Sequence, residues 1–392
     1  MNRRDLFRTA GSAVISAASY SRVLGANDAV KLGVIGCGNR GLYLMQVFAR
    51  MPGVRISAVC DVFGQKTARA RNAAPGSLMF SDHRALLERG GVDAVLVTTP
   101  DHWHAAVSVD AMLAGKDVYV EKPLSFRLEE GARIIETARQ MNRICQVGMQ
   151  QRSGALFLKA KREIIDAKLL GRISLVRTVW HLGEPYDLGP ADEPKPADLD
   201  WDRFLGPVPW RPWNPHQYHH YRLYLDFGGG CLTDLFTHWI DVVHMFMGQD
   251  APKAVAAGGG IYIAHDDRSA PDTVNVIAQY DGFNVTYEST ALPGMPEEHI
   301  VFHGSEGTLT INRKAYEFRA KNERAPAIEY RSPGPLDEDH VRNFVECCRS
   351  RKAPNCTAYH GDRAARVSLF AKMSYVLNRK IKLDPTGGIE QV

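Results

Sequence analysis

The sequence predicts an α/β protein with two parts: a doubly wound parallel sheet toward the N-terminus, then a second α/β unit built on an antiparallel sheet. Three observations carry that prediction. The chain has 392 residues, more than one average domain holds, and 45% of them are hydrophobic, enough for two cores. From residue 31 to about 148, short β-branched runs alternate with longer amphipathic segments, the pattern of βαβ units whose helices cover both sheet faces. Beyond that point the texture changes to alternating runs joined by short glycine-containing turns, the pattern of neighbouring antiparallel strands.

In chain order, strands are expected at 31–35, 54–60, 92–98, 118–121 and 144–147, with helices near 42–50, 65–72, 81–89, 105–114 and 128–142. A helix at 155–167 leads to a strand at 172–181 and a long loop, 183–222, rich in Pro, Trp, His and Tyr. Loops of that length are functional or disordered, and the aromatic content argues for order. A helix at 230–247, strands at 274–280, 284–290, 298–303 and 308–311, and helices at 337–349 and 361–377 complete the chain. The resulting division is 30–150 for the first domain and 151–385 for the second, the last helices packing back on the first.

Residues 1–26 read as an export leader rather than as part of the fold. Arg3-Arg4 stands before Leu6-Phe7, a mildly apolar Ala/Ser/Gly stretch follows, and Leu24-Gly25-Ala26 offers a small-residue cleavage site. The arginine pair points to the twin-arginine route and hence to a periplasmic or secreted protein. No later run reaches the roughly 18–20 apolar residues of a membrane helix, so no membrane association is expected after cleavage. The net charge of +4 is small for this length and gives no reason to expect a nucleic acid partner. Seven cysteines show neither metal-type spacing nor a dense disulfide framework, and whether any of them pair is left open.

Gly36-Cys37-Gly38-Asn39-Arg40-Gly41 follows the first strand and precedes the first helix, and Asp61 ends the second strand 20 residues later. That order is the fingerprint of dinucleotide binding. Gly36 serves the tight turn, Gly38 the close approach of the pyrophosphate, Gly41 helix–strand packing, and Asp61 the adenosine ribose hydroxyls, which favours NAD over NADP. Glu121-Lys122-Pro123 stands past a parallel strand, at the sheet edge where such folds bind ligands. A lysine there can hydrogen-bond a substrate hydroxyl; taken alone it reads better as a solvated surface lysine. Asp234, His238 and Asp241 are spaced to share one helical face, with His238 suited to act as base or relay and Asp234 to orient it. Gln150, Gln151 and Arg152 are candidates for the nicotinamide or substrate side. Tyr218, Tyr221, Arg222 and Trp213 are candidates for a sugar platform. His216, His219 and His220 lack supporting acid spacing, and no metal is assigned.

Over residues 30 to 385 the chain resembles the Gfo/Idh/MocA oxidoreductases, the family of glucose–fructose oxidoreductase and inositol dehydrogenase. The residues that carry the resemblance are Gly36 to Gly41, Thr98-Thr99-Pro100-Asp101-His102-Trp103-His104, Glu121-Lys122-Pro123, and Gly228-Gly229-Gly230 with Asp234 and His238. The resemblance implies a Rossmann domain, a second domain with a large open antiparallel sheet, and a homo-oligomer. It also implies Lys122 as a catalytic residue, Asp234 and His238 facing the substrate, and Thr99, Trp103, His104 and Glu121 near the cofactor. The expected activity is hydride transfer between a sugar or polyol CH–OH and NAD retained through turnover. The alternative is a redox-neutral NAD-dependent glycoside hydrolase; a non-catalytic sugar or nucleotide sensor comes third. The glycosidases of this family carry Glu-Val-Pro where this chain has Glu121-Lys122-Pro123, which favours dehydrogenase chemistry.

Overall fold

The computed structural model describes residues 29–184, 186–295, 297–322, 326–384 and 387–390. The expected leader, 1–26, lies outside them. The first sheet has six parallel strands, β1 (Val30–Ile35), β2 (Val54–Cys60), β3 (Leu78–Phe80), β4 (Ala94–Val97), β5 (Asp117–Val120) and β6 (Cys145–Val147), in the order β3-β2-β1-β4-β5-β6. The linking helices are α1 (Asn39–Ala49), α2 (Gly64–Ala73), α3 (His83–Arg89), α4 (Asp101–Leu113) and α5 (Glu130–Gln140). In β4 and β5 every residue is buried, as a parallel strand covered on both faces requires. The edge strand β3 has no sequence signal because Leu78 and Met79 are exposed and only three residues pair.

The second half begins with α6 (Ala155–Ala160), which runs into a π-helical turn over Lys161–Ile165, and then β7 (Ile173–His181). The short helices α7 (Trp201–Leu205) and α8 (Pro215–His219) interrupt the long loop, and α9 (Phe236–Met247) follows, closed by Gly248 in the left-handed region at φ 67°. The remaining strands are β8 (Ala254–Gly260), β9 (Thr273–Gln279), β10 (Asn284–Thr290), β11 (Glu297–Gly304), β12 (Gly307–Ile311), β13 (Ala315–Ala320), β14 (Ile328–Arg331) and β15 (Ile381–Lys382), with α10 (Leu336–Ser350) and α11 (Ala358–Leu377) before the last. They form one nine-stranded sheet, β14-β13-β12-β11-β7-β10-β9-β8-β15. Its pairs are antiparallel except β7 with β10, which run parallel because the chain leaves through α7 to α9 before it returns.

One face of this sheet is covered by α9 and α11 and the other is open. On β9, Val274, Val276 and Ala278 are buried while Asn275 and Ile277 between them are exposed, the period of two that a half-buried strand shows. Phe236 of α9 stacks on Tyr287 of β10 at 4.7 Å. Helix α10 returns to the first domain, where Phe344 meets Phe48 and Tyr119 edge-on at 5.9 and 5.7 Å. The long loop is no open coil. Leu199, Trp201, Phe204, Tyr218, Tyr224 and Phe227 bury one another in a small core that includes Phe63 of the first domain. All seven cysteines are buried and unpaired.

Candidate dinucleotide and substrate site

The three glycines of the turn have separable physical reasons. Gly36 has φ +93°, and a Cβ there would lie 2.6 Å from the Thr98 carbonyl. At Gly41 a Cβ would come within 2.0 Å of Gly36 O, so α1 packs against the turn only without a side chain. At Gly38 nothing stands within 4 Å; this residue faces a cleft of ≈ 500 Å³ lined by Asn39, Arg40, Asp61, Thr99, Trp103 and Arg222, among others. Gly38 is also the N-cap of α1 and supplies no capping side chain, which leaves first-turn N–H groups for an anion. Asp61 Oδ2 accepts from Cys37 N (2.7 Å) and Oδ1 from Phe63 N (3.0 Å). Burial pushes its carboxyl up, against the pull of Lys66 and these N–H groups. An open cradle at a helix N-terminus with a carboxylate at the next strand end fits a dinucleotide.

The aromatic segment closes over this cleft. Asp198 Oδ2 accepts from Gln65 N (2.9 Å), and Asp200 N donates to Val62 O (3.0 Å), which ties the segment to the start of α2. The Lys66 ammonium lies 4.5 Å from the Tyr218 ring centroid. The Trp103 indole N–H donates to Phe204 O (3.0 Å), and the same carbonyl lies 2.9 Å from His102 Nε2. His216 and His219 are held by Asp267 (2.8 Å) and Glu193 (3.2 Å).

Lys122, Asp234 and His238 come together behind Arg222, which lines the cleft. The Lys122 turn, whose Lys122–Pro123 bond is cis, and the 3₁₀ turn Gly230–Leu232 before α9 place them. Lys122 Nζ donates to Asp234 O (2.9 Å) and forms an ion pair with its carboxylate. Arg222 Nε is 3.5 Å from the same carboxylate. Burial alone would raise Asp234, but Lys122 and Arg222 outweigh it and hold the carboxyl well below its usual range. Burial, with Lys122 and Arg313 adding to it, keeps the His238 ring far below the ordinary histidine value and therefore neutral. Its Nδ1 is buried without a partner. The arrangement is a neutral imidazole beside a lysine whose counter-ion is fixed, suited to moving a hydroxyl proton.

Several expected contacts are corrected. Arg40 lines the cleft, but its guanidinium is held by Glu121 (2.9 Å) and by Asp337 of α10 (2.7 Å), so Glu121 positions Arg40 rather than facing a cofactor. Gly41, by contrast, packs inside the turn as expected of it. His104 is fully buried with Nδ1 2.7 Å from Pro123 O and Nε2 2.9 Å from Thr99 O, so it bridges the Lys122 turn to the Thr99 loop instead of touching a ligand. Arg152 is turned away from the cleft and paired with Asp241 at 2.8 and 3.0 Å, so Asp241 does not share the face of Asp234 and His238. Gln150 is buried, its amide nitrogen donating to Gly148 O (3.0 Å) and its oxygen accepting from Arg313 Nη2 (3.3 Å). Tyr218, Tyr221 and Arg222 do line the cleft, Tyr218 also belonging to the small aromatic core against which Trp213 packs.

Sequence reasoning missed Trp180, Arg313 and Asp337. Trp180 ends a strand, Arg313 sits in a polar turn and Asp337 begins a helix, positions where these residue types carry no local signal. The ring of Trp180 lies 5.6 Å from that of His238.

Fold and cleft together define a dinucleotide-binding enzyme of two domains. Residues 30–149 match the model of the oxidoreductase family's NAD-binding Rossmann fold, and 187–389 match that of its C-terminal alpha/beta domain. The chain belongs to the Gfo/Idh/MocA oxidoreductase family. It is 20% identical over 370 residues to the uncharacterized oxidoreductase YrbE of Bacillus subtilis, covering 90% of this chain and 96% of that one. A stretch of 129 residues is 38% identical to a glycosyl hydrolase family 109 protein of a Shewanella strain, but it covers 31% of this chain and 28% of the relative. Among solved structures, a levoglucosan dehydrogenase in complex with NADH and levoglucosan superposes with a TM-score of 0.73 at 18% identity, covering 91% of this chain and 99% of that one. At that identity the likeness is one of fold.

Proposed function

We propose that the protein oxidises a CH–OH group of a sugar or polyol with an NAD that stays bound through turnover. The observation that carries this reading is the convergence of Lys122, Asp234 and neutral His238 next to Arg222, a residue that lines the glycine-turn cleft. The nicotinamide ring, when bound, accepts the hydride. Lys122 Nζ hydrogen-bonds the substrate hydroxyl oxygen and steadies the negative charge that develops there, while the His238 ring takes the proton. Asp234 keeps the ammonium in place. Asp61 supports NAD over NADP, because a 2′-phosphate would meet its carboxylate.

Retention is supported by the aromatic segment, which is hydrogen-bonded to both walls of the cleft and must open before a dinucleotide can leave. It also agrees with export: we place the protein in the periplasm on the strength of Arg3-Arg4 and the leader, where no exchangeable NAD pool exists. A retained cofactor must be reset by a second carbonyl substrate. Mass spectrometry of denatured, as-purified protein should release NAD(H) in near-stoichiometric amount; protein that releases no dinucleotide overturns retention. Absorbance at 340 nm should then rise when a sugar or polyol substrate is added to the holoenzyme.

The second reading is redox-neutral glycoside cleavage, favoured by the match to the family 109 glycosyl hydrolases. Catalytic release of nitrophenol from a glycoside panel without added NAD would replace the first reading with this one.

A further inference from the structure

The end of the nine-stranded sheet nearest His238 carries an arginine, its side chain 34% exposed, with its paired carboxylate beyond hydrogen-bond distance. Trp180 on β7 lies opposite Glu298 on β11, and Ile300 lies opposite Ile311, so Arg313, in the turn after β12, arrives beside Glu298. The Arg313 guanidinium sits 5.8 Å from the Trp180 ring centroid, and Trp180 in turn packs on His238. With its amide oriented so that the nitrogen donates to Gly148 O, Gln150 of the first domain accepts from Arg313 Nη2 at 3.3 Å. Arg313 therefore meets the first domain at Gln150 and lies across Trp180 from His238.

The pairing of this arginine differs from that of its neighbours. Arg40 has two carboxylates at 2.9 and 2.7 Å, Arg152 has Asp241 at 2.8 Å, and Lys122 and Arg222 share Asp234. Among the described residues the carboxylate of Arg313 is Glu298, with Oε1 3.9 Å from Nε, too far for a hydrogen bond. Glu298 Oε1 is itself buried without a hydrogen-bond partner, and burial pushes this carboxyl up even against Arg313. Like Glu298 Oε1, His238 Nδ1 on the other side of Trp180 is buried and unpartnered. Native folds rarely leave several such groups together. A guanidinium stacked on an indole and steadied by an amide keeps its planar fork ready for a two-oxygen anion at little ordering cost.

We infer that Arg313 binds an anionic substituent of the substrate, so that the sugar oxidised beside Lys122 and His238 carries a carboxylate or a phosphate. This rests on the sugar oxidoreductase reading above and deepens it. Arg313 recognises the anion; proton handling stays with Lys122 and His238.

The test uses the holoenzyme as purified and follows reduction of the bound cofactor at 340 nm with matched sets: glucose, glucuronate and glucose 6-phosphate, then the galacto and manno equivalents. An anionic member should react with a second-order rate constant at least tenfold above its neutral counterpart, and uronate against phosphate decides which anion is meant. R313Q should lower the anionic-to-neutral ratio by roughly 10–100-fold, the worth of a charge-assisted hydrogen bond. R313K, which keeps charge but not fork, should lose part of the preference and carries the test if R313Q does not fold. Faster reduction by the neutral members, or a ratio unchanged in the Arg313 variants, overturns the inference alone. A panel in which no sugar of either kind is oxidised removes the oxidoreductase reading, and the inference with it.

Discussion

Asp234 and Asp241 lie seven residues apart around the start of α9, and each meets a cation from the edge of the first domain, yet the two pairs are physically unlike. Asp234 has Lys122 and Arg222, and its side chain keeps 19% exposure. Asp241 has Arg152, and its side chain is 1% exposed. At Asp234 two cations overcome burial and depress the carboxyl; at Asp241 burial outweighs the one arginine and the carboxyl is raised. A partly open pair around a single ammonium can exchange partners with a substrate. A sealed pair around a guanidinium can only hold the helix against the first domain. Equal spacing on a helix thus says little about role; the partner and the exposure decide it.

The sharpest way to break this contrast is to remove one charge from each pair. Lys122→Ala should cut turnover by about 10²–10⁴-fold, the usual range for a lost proton-handling group, with the dinucleotide still detected by mass spectrometry. Full activity in that variant would end the assignment of Lys122. Asp241→Asn should instead cost about 3–5 kcal/mol in urea unfolding, because a buried guanidinium is left uncompensated. The apolar double variant Arg152→Met/Asp241→Leu should recover most of that loss; if it does not, Asp241 does more than hold the helix.

The same division between open and sealed groups appears in the histidines. His102 and His340 are buried in the interior, and burial pushes both down to about 4. The unfolded chain takes up these protons near pH 6.5, so between roughly 6.5 and 4 it binds more protons than the native state. Stability is therefore fully present above about pH 6.5 and falls as the pH drops toward 4, on the order of 2 kcal/mol for each ring by pH 5. Urea midpoints measured at pH 7 and pH 5 check this, and His340→Gln should flatten the slope.

The smallest expected effect separates the glycines. Gly38→Ala should leave the melting temperature of the apoprotein unchanged, since its Cβ meets nothing within 4 Å, but should weaken dinucleotide binding by about tenfold or more as the methyl group meets the pyrophosphate. Gly41→Ala should fail earlier, in folding, because its Cβ would overlap Gly36 O. Equal behaviour of the two variants would contradict the separate roles given to them.

Much of the fold was legible because its signals are local. Period-two and near-continuous apolar runs marked most strands, and Gly36 announced a backbone that only glycine adopts easily. The strands β3, β8, β13, β14 and β15, at or next to the sheet edges, were not legible, since short or half-exposed strands acquire their identity from the neighbour they pair with. At the site, the resemblance pointed to Lys122, and helical spacing with the resemblance to Asp234 and His238, but Arg152 was assigned to a ligand because it follows a strand end and His104 because the resemblance implied it. Which way such a side chain points depends on partners remote in sequence: Asp241 for Arg152, Pro123 and Thr99 for His104.

The sequence by itself determined the alternating sheet, the glycine turn with its acid, and the ordered character of the aromatic segment, all properties of a residue and its near neighbours. Only the tertiary structure decided that this segment roofs the cleft and that Arg40 is held by Asp337. It alone decided that Asp234 rather than Asp241 meets Lys122, and that a turn arginine, Arg313, reaches the wall beside His238. The physical reason is range: backbone sterics and apolar periodicity act within a few residues, whereas charge pairing and burial depend on strand register and domain packing across more than a hundred residues.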